Sequence, residues 1–241
     1  MRYLIAISSL LLASCQAETH THVLNNVIFE DQYEEIAKIE AQNIHLKISS
    51  IGGKNGVSVK AAKFLEPKNL KITVEGNCWS ACASYFLPVA DEIFFKNEPL
   101  IGFHWSTIMM YELGKRTTDK SCTDKAYKLY EIEKQHLKIK NLNYGLWKET
   151  SNRLILKDFE VTDNSYSQCS YARLNFDSFE HAMWFPTSKQ LQDLWGLKFK
   201  GAVCADDYEA CTRTIDSMVP EGESVSVVVG DKVYQSFGTM E

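Results

Sequence analysis

The chain has no excess of positive charge. Its 26 Lys and Arg are outnumbered by 31 Asp and Glu, for a net charge of −5, which removes the electrostatic case for a nucleic-acid partner. After the first 13 residues there is no second long hydrophobic run, so no spanning helix is expected in the body of the chain. There is no internal repeat and no low-complexity tract, which argues against solenoid and linker architectures. No CxxC or HxxxH spacing occurs, so no metal site is expected, and no cofactor. What is present is ordinary for a globular protein, with 45% hydrophobic and 24% charged residues.

The first residues carry a pattern of their own. Met1-Arg2 supplies one positive charge, and an apolar run from Tyr3 to Ala13 follows, broken by Ser8 and Ser9. The run is too short to span a bilayer but suits the apolar region of a secretory signal. It ends Leu12-Ala13-Ser14-Cys15, which resembles the bacterial lipobox. The resemblance implies that residues 1–14 are a removable signal and that Cys15 carries a lipid. It places the protein outside the cytoplasm, anchored in the bacterial envelope on the periplasmic side. Gln16 in place of Asp leans towards the outer membrane. An ordinary signal cut near Ala17 is the alternative.

Six cysteines follow Cys15, an even number that suggests disulfides in an exported protein. Cys204 and Cys211 form the best local pair, closing a short Asp-rich loop, and Cys122 with Cys169 is a plausible long-range bridge. Cys78 and Cys82 stand four apart, either bridged or as two buried thiols.

Along the chain, strand and helix patterns alternate. Residues 15–30 read as a tether and a first strand at Asn26–Glu30. Residues 31–41 place Tyr33, Ile36, Ala37 and Ile39 on one helical stripe, and Ile44, Leu46 and Ile48 alternate as in a strand. A helix over 56–65 and a strand over Leu70–Val74 follow, then a small-residue helix over Ser80–Leu87. Asp91–Lys96 and Leu100–Trp105 read as further strands. Such alternation argues for βαβ units and a largely parallel sheet. Residues 119–150 read as one long polar helix and Ser188–Leu194 as a short one ending at Gly196. Ser224–Val229, Gly230-Asp231 and Lys232–Phe237 read as a terminal hairpin.

Three features stand in order. A strand ends in Ser50-Ile51-Gly52-Gly53. Ser80 follows in Gly76-Asn77-Cys78-Trp79-Ser80, and His104 in Gly102-Phe103-His104. Here the chain resembles the Clp-protease proteolytic subunit and its crotonase-fold relatives, among them exported signal-peptide-peptidase-like enzymes. The likeness covers roughly residues 42–106 and extends weakly to residues 185–197. It implies an α/β crotonase-like spiral of βαβ units over residues 31–200. The long helix and a C-terminal extension, residues 201–241, would be additions. It also implies a serine hydrolase acting on peptides or proteins, with Ser80 as nucleophile, His104 as general base, and Gly52, Gly53 and Ala81 as an oxyanion hole. A homo-oligomer is open under this reading.

The residue types suit that chemistry. A serine hydroxyl needs a neighbouring base to become a nucleophile, and His is the usual one near neutral pH. The family's acid has no counterpart, since Met183–Phe185 occupies the segment that aligns with it. Glu180 and Asp177 are the nearest candidates to orient His104. A backbone carbonyl, or a serine–lysine dyad through Lys120 or Lys125, are the alternatives. Ser84 competes as nucleophile and His181 is a lesser site candidate. The other reading of the whole set is a scaffold that keeps the helix cap and core histidine but binds rather than cuts.

Overall fold

The computed structural model describes residues 18–104, 111, 120–140, 142–155 and 180–238. Its first half alternates β1 (Thr19–Ile28), α1 (Glu30–Ala37), β2 (Asn43–Gly53), α2 (Asn55–Leu65) and β3 (Asn69–Trp79). In β2 the side chains of Ile44, Leu46 and Ile48 are buried at every second position, the period of a strand. In α2 the residues Val57, Val59, Ala61, Ala62 and Leu65 bury one broad face. After β3 a π-helix, Cys82–Phe86, runs into the short α3 (Leu87–Val89), and β4 (Glu92–Phe95) follows. Strands β1 to β4 lie side by side in chain order, all parallel. The short β5 (Ile101–Gly102) pairs with the end of β3 beyond the reach of β4, through Cys78↔Ile101 and Trp79↔Gly102. The result is a mixed α/β fold with a mostly parallel sheet.

Among the elements that differ from the sequence pattern are β1 and the long helix. β1 begins at Thr19 rather than Asn26 and is an edge strand, paired only with β2 among the described residues. Its polar outer positions hide it from a hydrophobic reading. The predicted long helix is two: α4 (Lys120–Ile139) and α5 (Gly145–Leu154). The Gly145 N–H donates to Asn143 Oδ1 at 2.8 Å and starts α5 afresh. A side chain at Gly145 would meet the Leu194 carbonyl at 2.7 Å, so glycine lets α5 approach that neighbour. α4 is tied back to the π-helix by the buried Tyr85 hydroxyl, which donates to the buried Glu133 carboxylate.

The second half adds β6 (Met183–Phe185), then α6 (Ser188–Gln190), which continues as a π-helix, Leu191–Trp195. A 3-10 turn (Cys204–Asp206), α7 (Tyr208–Asp216), β7 (Ser224–Val229) and β8 (Lys232–Phe237) complete it. β6 pairs parallel with β7, and β7 antiparallel with β8 around Gly230-Asp231. Phe103 and Trp184 join the two sheets by a reciprocal bridge, exchanging backbone hydrogen bonds of 2.8 Å in both directions.

Beneath that bridge Phe103 is fully buried between Trp147 of α5 and Trp195 of the second π-helix. The three rings stand edge to face, with centroids 5.6 to 5.8 Å apart. Aromatic pairs of this kind add about 0.5–1.5 kcal/mol each beyond their burial. The cluster therefore locks β5 from below. Trp195→Ala is expected to cost about 3–5 kcal/mol, measured from the denaturant midpoint; a loss under about 1 kcal/mol would show that the cluster does not carry β5.

Candidate active site

The structure brings Ser80 and His104 together. Ser80 follows the last residue of β3, and its N–H donates to the Gly102 carbonyl of β5 at 2.8 Å. His104 stands two residues beyond Gly102, and its Nε2 is hydrogen-bonded to Ser80 Oγ. For the hydroxyl to donate, the imidazole must be neutral with its proton on Nδ1. Burial favours that state: it lowers the His104 pKa from the usual 6.5 to about 4.

The backbone at Ser80 is in the left-handed region, with φ 54°. That is uncommon for a residue with a side chain, costs of the order of 1–3 kcal/mol, and gathers at functional sites. The turn is held on three sides. A disulfide joins Cys78, at the end of β3, to Cys82, the first residue of the π-helix, with Cα atoms 5.2 Å apart. A continuous helix would hold such a pair near the limit of bridging, but here Cys78 is still in the strand. Behind the turn, Gly52 has φ 95°, and a side chain there would meet Ser80 Cβ and the Trp79 carbonyl, each at 2.8 Å. The third restraint is the Ser80 N–H bond to β5.

The expected oxyanion donors divide. The Gly52 N–H is taken by Ser50 Oγ at 3.1 Å, so this residue serves by letting backbone approach Ser80. Gly53 is pressed against β1, where a Cβ would strike the Ile28 carbonyl at 2.1 Å. Ala81 begins the helix that follows, and first-turn N–H groups have no intrahelical partner. Its nitrogen lies 3.1 Å from where a Gly52 side chain would start, making it the expected donor best placed beside Ser80. Ser50, the first residue of the Ser-Ile-Gly-Gly turn, carries no sequence signal for its role. Ser50 is buried, donates to the Asn26 carbonyl and receives the Gly52 N–H, and so pins the glycine turn to β1.

The Glu180 carboxylate contacts His181 Nε2 at 3.9 Å and is more than half exposed. His181 itself is bonded to Ser226 Oγ of β7 at 2.8 Å. Asp177 lies outside the described residues. Lys120 and Lys125 are exposed on α4, and the partner of Ser80 is His104 rather than either lysine. Ser84 donates its N–H to the Ser80 carbonyl at 2.8 Å as the next turn of helix.

Cys204 and Cys211 are corrected too, since they are free buried thiols. The hydrogen bond between them lowers the Cys204 pKa and raises that of Cys211, so Cys211 is the donor. Placed on the 3-10 turn and on α7, they meet as a hydrogen-bonded pair rather than a bridge. Cys169 and Cys15 lie outside the described residues, and with Cys169 the pairing to Cys122.

No protein-family model matches the chain, and no curated protein matches its sequence. Among solved structures it is similar to a mutant of ClpP1 from Listeria monocytogenes. The two are 13% identical with a TM-score of 0.37, over 49% of this chain and 68% of that one. No residue role here rests on that likeness.

The His104 shift sets a sign for stability against pH. A histidine whose folded pKa is lowered leaves the unfolded chain binding the extra proton between about pH 4 and 6.5. Its cost is absent above that window and grows as pH falls through it, reaching about 3 kcal/mol. The stability of the native chain relative to His104→Gln is expected to fall by that order between pH 7 and pH 4, read from denaturant curves. Parallel profiles would contradict it.

Proposed function

We propose that the protein is a serine hydrolase of the Clp-protease-like type that cleaves peptide bonds. The observation that carries the reading is the hydrogen bond between Ser80 Oγ, held in a left-handed turn between strand and helix, and His104 Nε2. In the reaction Ser80 Oγ attacks the carbonyl carbon while His104 Nε2 takes its proton. The oxygen of the tetrahedral intermediate is held by the Ala81 N–H. His104 then returns the proton to the leaving amine, and water releases the acyl group by the same steps. Glu180 or Asp177 is the carboxylate proposed to orient His104. A spiral of the crotonase type is part of this proposal, supported by four parallel strands lying in chain order.

Export and lipidation at Cys15 belong to the same proposal. A disulfide beside Ser80 suits an oxidising compartment, because reducing cytoplasms keep such pairs as thiols. One observation favours the second reading, a binding module on the same scaffold: a pKa of about 4 makes His104 a weak base in the free protein. Turnover of internally quenched peptides separates the two. Ser80→Ala and His104→Ala are each expected to lower kcat about a thousandfold or more. Activity within a few-fold of the native protein in Ser80→Ala would overturn the assignment, and no turnover by the native protein, oxidised or reduced, would favour the binding module.

A further inference from the structure

Ser80 stands at the midpoint of a covalent loop. In Cys78-Trp79-Ser80-Ala81-Cys82 the disulfide joins the residues on either side of it at equal spacing. The two ends of the bridge are held differently. Cys78 is fixed in the sheet, opposite Ser50 of β2 and Ile101 of β5, and its N–H donates to the Leu100 carbonyl at 2.9 Å. Cys82 opens the π-helix Cys82–Phe86, a rare winding that gathers at functional sites. The bridge thus spans a left-handed serine, with φ 54°, and ends on a π-turn, two conformations that a free chain disfavours. The Ser84 N–H to Ser80 carbonyl bond does not select them. It is the bond that a right-handed helix beginning at Ser80 would make as well. The covalent tie from Cys82 back to the sheet separates the two states.

We propose that the Cys78–Cys82 bridge is a redox gate on Ser80, with both cysteines as positioning residues. Bridged, the chain keeps Ser80 left-handed and its Oγ on His104 Nε2. Reduced, Ser80 relaxes into the right-handed region as the start of the helix, and its hydroxyl leaves His104. The reductant is a dithiol. Its thiolate attacks one sulfur of the bridge, and its second thiol resolves the mixed disulfide. Two electrons and two protons pass to Cys78 and Cys82, and the dithiol closes to its own disulfide. Both cysteines are fully buried, so this exchange waits on opening of the turn. The gate makes activity a property of an oxidising compartment, where such bridges persist. Its catalytic consequence rests on the hydrolase reading above, but the change at Ser80 is measurable apart from it.

The test uses the full chain, oxidised and then reduced with dithiothreitol, with alkylation and mass reporting that the bridge has opened. Reduction is expected to lower kcat on a quenched peptide about tenfold or more with KM within about threefold, and reoxidation by diamide to restore it. Cys78→Ala combined with Cys82→Ala is expected to match the reduced protein and to ignore both reagents. Thermal midpoints report that each form is folded. A kcat within about twofold of the oxidised protein, in reduced and folded protein, would overturn the gate while leaving Ser80 chemistry intact. Unfolding of both the reduced protein and the double variant would overturn it too, because the bridge would then staple the whole fold. If the oxidised protein turns nothing over, the hydrolase reading fails separately and hydrogen exchange decides the gate. The Ser80 N–H, held by the Gly102 carbonyl, is expected to exchange about tenfold faster or more after reduction. The Cys211 N–H, held by the Asp207 carbonyl on α7, is expected to stay unchanged. No change at Ser80, or an equal change at both, overturns the gate.

Discussion

The two-residue pairing of β3 with β5 is the constraint on which the site depends. Cys78↔Ile101 and Trp79↔Gly102 bring the ends of two strands into register, and the Ser80 N–H to Gly102 carbonyl bond extends that register by one step. From there the geometry follows without further adjustment. Ser80 and His104 come within hydrogen-bonding distance, and Phe103 turns down into the tryptophan cluster. On the other edge of β5, the bridge to Trp184 carries the second sheet alongside. A short ladder of this kind is weak alone, with few hydrogen bonds. It persists because it is clamped from below by aromatic packing and from the side by β6.

The same site stores strain and supplies the means to hold it. A left-handed serine costs about 1–3 kcal/mol. Against this, the Cys78–Cys82 bridge closes a very short loop, and the chain-entropy relation gives about 2 kcal/mol for one of that size. The two magnitudes are comparable, so the disulfide is of the right order to hold Ser80 in its turn. Gly52 contributes differently, by having no side chain where the turn needs space. His104 is held neutral by burial, which keeps it ready to accept a proton but limits how strongly it pulls one.

Much of the first half was legible because its signals are local. Ile44, Leu46 and Ile48 alternate, the glycine pair ends the strand, and Ser80 and His104 stand at the ends of two apolar segments. β1 was read short because an edge strand can carry Thr, His and Asn on its open side. The break between α4 and α5 was missed because Gly145 is required by the distant Leu194 carbonyl, not by anything nearby in sequence. Ser50 went unread for a similar reason, since its partner is the Asn26 carbonyl of β1.

The central claim is that Ser80 is a nucleophile activated by His104. Reaction of the intact protein with a fluorophosphonate, followed by peptide mass spectrometry, tests it most directly, because that reagent bonds only a serine already activated for attack. The account predicts stoichiometric modification at Ser80, lost in Ser80→Ala and slowed at least a hundredfold in His104→Ala. Absence of modification at Ser80, under both oxidising and reducing conditions, would contradict it.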